Sequence, residues 1–371
     1  LSTDPYRLLF PLGVFLAWAG VGQWLLFTFG VTPEFRVVFH AMVQIQGFLG
    51  CFVAGFLLTF IPRRTMTDPP AAWQTLWAAV NPVLLAVFAW QGRWAVAQVF
   101  WLLQLGLLGQ FAFSRIRAAA GKRPVVPSLI WIPAALAIGL GGALLTPFPG
   151  WHDVGRALVL EGFVTALVIG IGSMLVPVIT RAQAPLAPGL PGRWYRWHVI
   201  AVAIFVASFF PPLASGLDGR GGYLLRLVIV GWVLVWGAQL WRRPTQPGLN
   251  RRLVMIAAWC VPSGYLLLSA WPTHRSMGLH VLFLGGFGLL AFSVGHHVLM
   301  AHSGRGRWIA GSSAGTWGLL LCIACSLTAR LAMQFDPMRY LQWMTAATIF
   351  FLAAGALWLV EAFRPMPKMA R

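Results

Sequence analysis

The sequence predicts an all-α, polytopic membrane bundle of about twelve transmembrane helices, forming a single transmembrane domain over residues 1–371. Three observations carry that fold class. Apolar residues make up 59% of the chain and charged residues only 9%, whereas about a quarter of a soluble domain is charged. The apolar residues gather in runs of roughly 20, the length that crosses a hydrocarbon core at 1.5 Å per residue. Proline-rich or basic stretches, such as PRRTMTDPP at 62–70 and RRPTQPGLNRR at 242–252, separate many of these runs. A soluble fold is excluded. So are disordered and collagen-like chains, because the 40 Gly and 25 Pro sit inside apolar runs without a fixed period.

In chain order the expected spans are 8–29, 35–61, 73–90, 94–114, 126–146, 153–180, 197–214, 222–241, 253–270, 277–300, 309–331 and 337–362. The first follows LSTDPYR directly, with no signal-peptide pattern ahead of it. Net charge is +19, from 27 Lys and Arg against 8 Asp and Glu. In a soluble chain that excess points to nucleic acid. Here the cations sit in loops, where they set orientation and meet anionic lipid head groups, so the bilayer and not nucleic acid is the expected partner. Eight cations (Arg36, Arg93, Arg156, Arg220, Arg226, Arg275, Arg330, Arg339) fall on one side, and the other 19, from Arg7 to Arg371, on the opposite side. The cation-rich side is expected to be cytoplasmic, with both termini inside, in a bacterial inner membrane. Cys51, Cys260, Cys322 and Cys325 all fall in apolar spans. They read as packing residues, not as a disulfide framework.

That topology sorts the histidines. His40, His152, His274 and His280 lie toward the cation-poor face, and His198, His296, His297 and His302 toward the cation-rich face. His40 and His280 enter the second and tenth spans at nearly the same depth, a few ångströms below the interface. His40 precedes Pro62 by 22 residues, His152 precedes Pro177 by 25, and His280 precedes His302 by 22. Spans two, six and ten are thus built alike, which suggests three four-helix units.

FHAMVQIQGFLGCFVAGFLLTFIPRRT (39–65) and HVLFLGGFGLLAFSVGHHVLMAHSGR (280–305) resemble the two signature stretches of the NnrS family, and SMLVPVIT (173–180) resembles a third. The resemblance implies a haem- and copper-containing inner-membrane protein linked to nitric oxide and nitrosative stress. Two departures stand out. The family's HxHE appears here as His40-Ala41-Met42-Val43, so the second histidine and the carboxylate are gone, and its Thr-Arg pair appears as His296-His297. The same stretches are similar to haem-copper oxidases. That likeness implies that His40 and His280 clamp a low-spin haem b near the outer face. It also implies that the reactive centre is lost, because Gly278 and Ala157 stand where histidines would be.

Two imidazoles on one iron give a six-coordinate haem suited to electron transfer. Small residues on the same helices, Gly47 and Gly286, are candidates for the contact with the macrocycle, although glycines also serve helix packing. Arg330 and Arg339, with Arg36 and Arg275 behind them, are candidates for the propionates. Gln44 lies one turn from His40 on the same face. Glu161 is an intramembrane carboxylate, which points to a proton or ligand path or to a pair with Arg156. His302 and His297, with His296 and His198, are the candidates for copper, and His152-Asp153 for a surface metal. Three readings follow: an NnrS-type haem protein with nitric oxide or a redox protein as partner; a twelve-helix transporter or channel; and a non-catalytic subunit related to haem-copper oxidases. Enzyme activity is left open.

Overall fold

The computed structural model describes residues 4–118, 126–183, 192–304 and 306–363. The expected loop cations Lys122 and Arg123, and those from Arg364 to Arg371, lie outside the described residues. Twelve helical elements build the bundle among the described residues: α1 Tyr6–Thr28, α2 Val37–Thr65, α3 Ala72–Trp90, α4 Trp94–Ala118, α5 Pro127–Leu145, α6 Pro149–Arg181, α7 Gly192–Ala207, α8 Gly221–Gly237, α9 Leu249–Ala270, α10 Pro272–His302, α11 Ala314–Ala332 and α12 Pro337–Phe363. Ten of these are long and apolar enough to cross a bilayer. There is no strand among the described residues. Helices dominate because hydrocarbon offers backbone N–H and C=O groups no partner outside their own segment.

Helix ends follow local chemistry. Gly92 adopts left-handed backbone, at φ +73, and lets α3 turn straight into α4. Arg63 and Arg64 occupy the last turn of α2, where the helix dipole favours cations. Ser313 caps α11, accepting from the Thr316 N–H at 3.0 Å. The seventh span departs from expectation. It ends at Ala207 instead of running to residue 214, because Pro211 and Pro212 cannot continue the hydrogen-bond ladder.

The expected likeness of spans two, six and ten has a structural counterpart. Each contains a π-helical segment at corresponding depth: Val43–Leu49 in α2, Leu158–Gly162 in α6 and Val281–Gly288 in α10. Wider i→i+5 turns of this kind re-aim side chains and recur at functional sites. These three helices are also the most enclosed, with 83%, 67% and 67% of their apolar windows buried, so they form the inner ring of the bundle. Phe10, Phe48, Phe52, Phe292, Phe351 and Trp358 interlock at its centre, with Phe10 stacked on Phe52 at 4.7 Å.

Outer helices reach the inner ring through paired glycines. A Cβ on Gly155 of α6 would lie 2.6 Å from the Gly142 carbonyl oxygen of α5. Gly264 of α9 and Gly278 of α10 approach each other in the same way. Such small-residue contacts let backbones close up where hydrocarbon supplies no hydrophobic drive. Gly155→Ala should therefore lower the unfolding temperature of the detergent-solubilised full chain, at an overpacking cost of about 1–3 kcal/mol. Gly141→Ala, which meets no atom within 4 Å, should leave it unchanged or slightly raised in the same thermal melt.

Candidate functional site

A cavity of about 710 Å³ opens between α1, α2, α6, α10, α11 and α12 toward the cation-poor end. Its size falls in the range of ligand pockets, ~300–1,000 Å³. Phe48, Leu279, Phe283, Met344 and Phe351 give it apolar walls, and His40 and His280 both line it. Residues 240 positions apart in the chain thus face one space.

Backbone carbonyls fix both imidazoles. His40 Nδ1 lies 3.0 Å from the Gly20 oxygen of α1, and His280 Nδ1 lies 2.7 Å from the Ser276 oxygen one turn back in α10. A carbonyl only accepts, so each Nδ1 carries the proton and donates. Each Nε2 is then the unprotonated nitrogen, the arrangement that orients metal-ligating histidines. Arg330 donates from Nη2 to His280 Nε2 at 2.8 Å. Gln44 lines the cavity and donates to the Ala17 carbonyl at 2.8 Å. Gly20 makes room for this, since a Cβ there would meet the Gln44 amide at 2.6 Å.

The cationic rim differs from expectation. Arg156, Arg275 and Arg330 line the cavity, with Asp153 among them. Arg339 does not; its side chain is 68% exposed and sits 4.0 Å from Asp336. Arg36 also stays outside, held by Glu34 at 2.7 Å and by the Trp90 carbonyl, with its guanidinium stacked on the Trp90 ring. The expected contact glycines face helices instead of the cavity. A Cβ on Gly47 would meet Val43 and Leu16, and one on Gly286 would meet Val261. Both serve packing against neighbouring helices.

Glu161 lines the cavity and is fully buried, but it does not pair with Arg156. Its Oε1 lies 2.5 Å from Arg226 Nη1, in an ion pair whose side chains are 2% and 5% exposed. Arg226 also donates to the Ser208 hydroxyl at 3.0 Å and to the Ser208 carbonyl at 2.9 Å, and stacks on Phe209 at 3.7 Å. Glu161 Oε2 has no hydrogen-bond partner among the described residues. By sequence position Arg226 is one of the cations on the cation-poor side. The signal was present but faint: an arginine in the apolar run GGYLLRLVIV demands a buried anion.

The copper candidates do not converge. His302 is exposed, bonded to the Val298 carbonyl and packed on Tyr6. His198 accepts from the Trp131 indole at 3.1 Å. His296 and His297 lie near the cation-rich end of α10, and no group of three or more His, Cys, Asp and Glu forms a metal cage among the described residues. His152 is exposed and bonded to the Thr146 carbonyl. Among the described residues these side chains do not assemble a copper centre. Cys322 and Cys325 carry free thiols on α11.

Fold and site together define a multi-pass helical membrane protein with a histidine-lined pocket near one end of its inner ring. Residues 1–367 match the family model described as NnrS protein, and the chain belongs to the NnrS family. No curated protein matches it.

Breaking the buried pair should be costly. Arg226→Leu strands the Glu161 charge and should destabilise the chain by about 3–5 kcal/mol, whereas joint replacement of both residues by leucine should cost far less. Thermal unfolding of the purified variants measures both.

Proposed function

We propose that this chain is a membrane haem b protein in which His40 and His280 ligate one low-spin iron, acting in electron transfer or sensing within a nitric oxide response. The observation that supports the reading is the pair of imidazoles on one cavity, each with Nδ1 held by a backbone carbonyl and Nε2 as the unprotonated nitrogen. A haem held by these two imidazoles would supply one-electron transfer.

The chain's own residues supply the rest. Phe48, Phe283 and Phe351 exclude water from the pocket walls. Arg330, which donates to His280 Nε2, would with Arg156 and Arg275 furnish a cationic rim for two propionates. Glu161 holds an acceptor oxygen at the cavity wall, where a proton can compensate a change in charge. Gly278 packs against Leu268 and Ala157 carries only a methyl group, so neither position offers an imidazole for a second metal. We propose electron exchange, without a gas-reducing turnover. The membrane is the bacterial inner membrane and both termini are cytoplasmic, on the charge asymmetry of the loops.

Optical and EPR spectra of the purified full chain test the reading. A Soret band with a six-coordinate low-spin signal is expected, and His40→Ala and His280→Ala should each abolish that signal. Absence of a Soret band, or full low-spin spectra in both variants, would overturn it.

A further inference from the structure

A polar seam runs between α2, α3 and α4, and its side chains lie outside the lining of the histidine pocket. On α4, Gln98, Trp101 and Gln104 follow one another at three-residue spacing, which stacks them on one face. Thr75, Ala78 and Asn81 form the matching stripe on α3. The two stripes meet. Asn81 donates to the Gln104 side-chain carbonyl at 3.3 Å, and Gln104 donates to the Ala78 carbonyl at 3.4 Å. α2 closes the seam: Gln46 donates to the Gln98 side-chain carbonyl at 2.9 Å, and Gly50, one turn on, lies against the Trp101 ring. At 1.5 Å of rise per residue the seam extends ~18 Å from Gln98 to Thr75, more than half of a ~30 Å hydrocarbon core.

Those bonds leave four polar atoms over: Gln46 Oε1, Asn81 Oδ1, Trp101 Nε1 and the Thr75 hydroxyl have no partner among the described residues. Each belongs to a side chain at most 2% exposed. Unpaired polar atoms in an apolar interior are costly, and four on one seam ask for a ligand. Their chemistry selects it. Gln46 and Asn81 present acceptors, Trp101 presents a donor, and Thr75 can do either. A cation would answer only the oxygens and an anion only the N–H, and uncharged amides, indole and hydroxyl offer neither ion a counter-charge. Water donates and accepts at once, and a buried water bridges two to four such groups. We propose that this seam is a binding site for a file of water molecules that bridge α2, α3 and α4. The file tethers α2, the helix that carries His40, to the α3–α4 pair. The site stands whether or not the pocket carries haem.

Water-edited solid-state NMR of the isotope-labelled full chain in phospholipid bilayers tests it. Magnetisation should pass from water to the Trp101 indole N–H and to the Asn81 and Gln104 side-chain amides severalfold faster than to the Trp358 indole, which is equally buried but bonded to the Phe292 carbonyl. Asn81→Leu takes away one acceptor and should slow transfer to Trp101 and Gln104 while leaving Trp358 as it was. Thr75→Val, close in shape, probes the deep end should the leucine variant fail to fold. Transfer to Trp101 as slow as to Trp358 would overturn the proposal, as would rates in both variants unchanged from the unsubstituted chain.

Discussion

In hydrocarbon a polar atom must find its partner inside the protein, and that constraint orders this structure from backbone to site. It makes the chain helical. It also sets the state of the two cavity histidines, because an imidazole N–H facing a backbone carbonyl cannot stay unpaired at low cost. His40 spends its proton on Gly20 and His280 on Ser276, and the opposite nitrogen of each ring becomes the reactive one. Glu161 and Arg226 obey the same rule as a buried ion pair, with Ser208 absorbing the guanidinium's other donors.

The inner ring turns that constraint into a pocket. α2, α6 and α10 each widen into π turns at the level of the cavity, while glycine pairs pull α5 onto α6 and α9 onto α10 nearby. Close backbone approach on the outside and wider turns on the inside leave a space between the three helices. Its polar part lies toward the cation-poor end. Deeper in, the space is apolar, and phenylalanines close the axis. An apolar stretch of this kind opposes the passage of ions and water in this conformation.

Much of the architecture was legible in the residues. Run length and loop charge located the helices, and the even spacing behind His40 and His280 marked α2 and α10 as counterparts. Run length overstates the seventh span, because its apolar run continues past the point where Pro211 and Pro212 stop the ladder. Cation roles were harder. Arg330 and Arg339 are alike in sequence, both near the α11–α12 connection, yet one bonds His280 and the other faces outward. Glycines were equally ambiguous: Gly47 and Gly286 share helices with the histidines but turn toward α1 and α9.

By itself the sequence determined the class of fold, the membrane setting and the depth at which His40 and His280 enter, since these follow from hydropathy and 1.5 Å of rise per residue. Only the tertiary structure decided what each side chain meets. Partner choice depends on the rotation of one helix against another, which a few glycines and π turns set and which no linear spacing encodes. That rotation gave Glu161 to Arg226 instead of Arg156, placed Arg330 on His280 and separated His198 from His296 and His297.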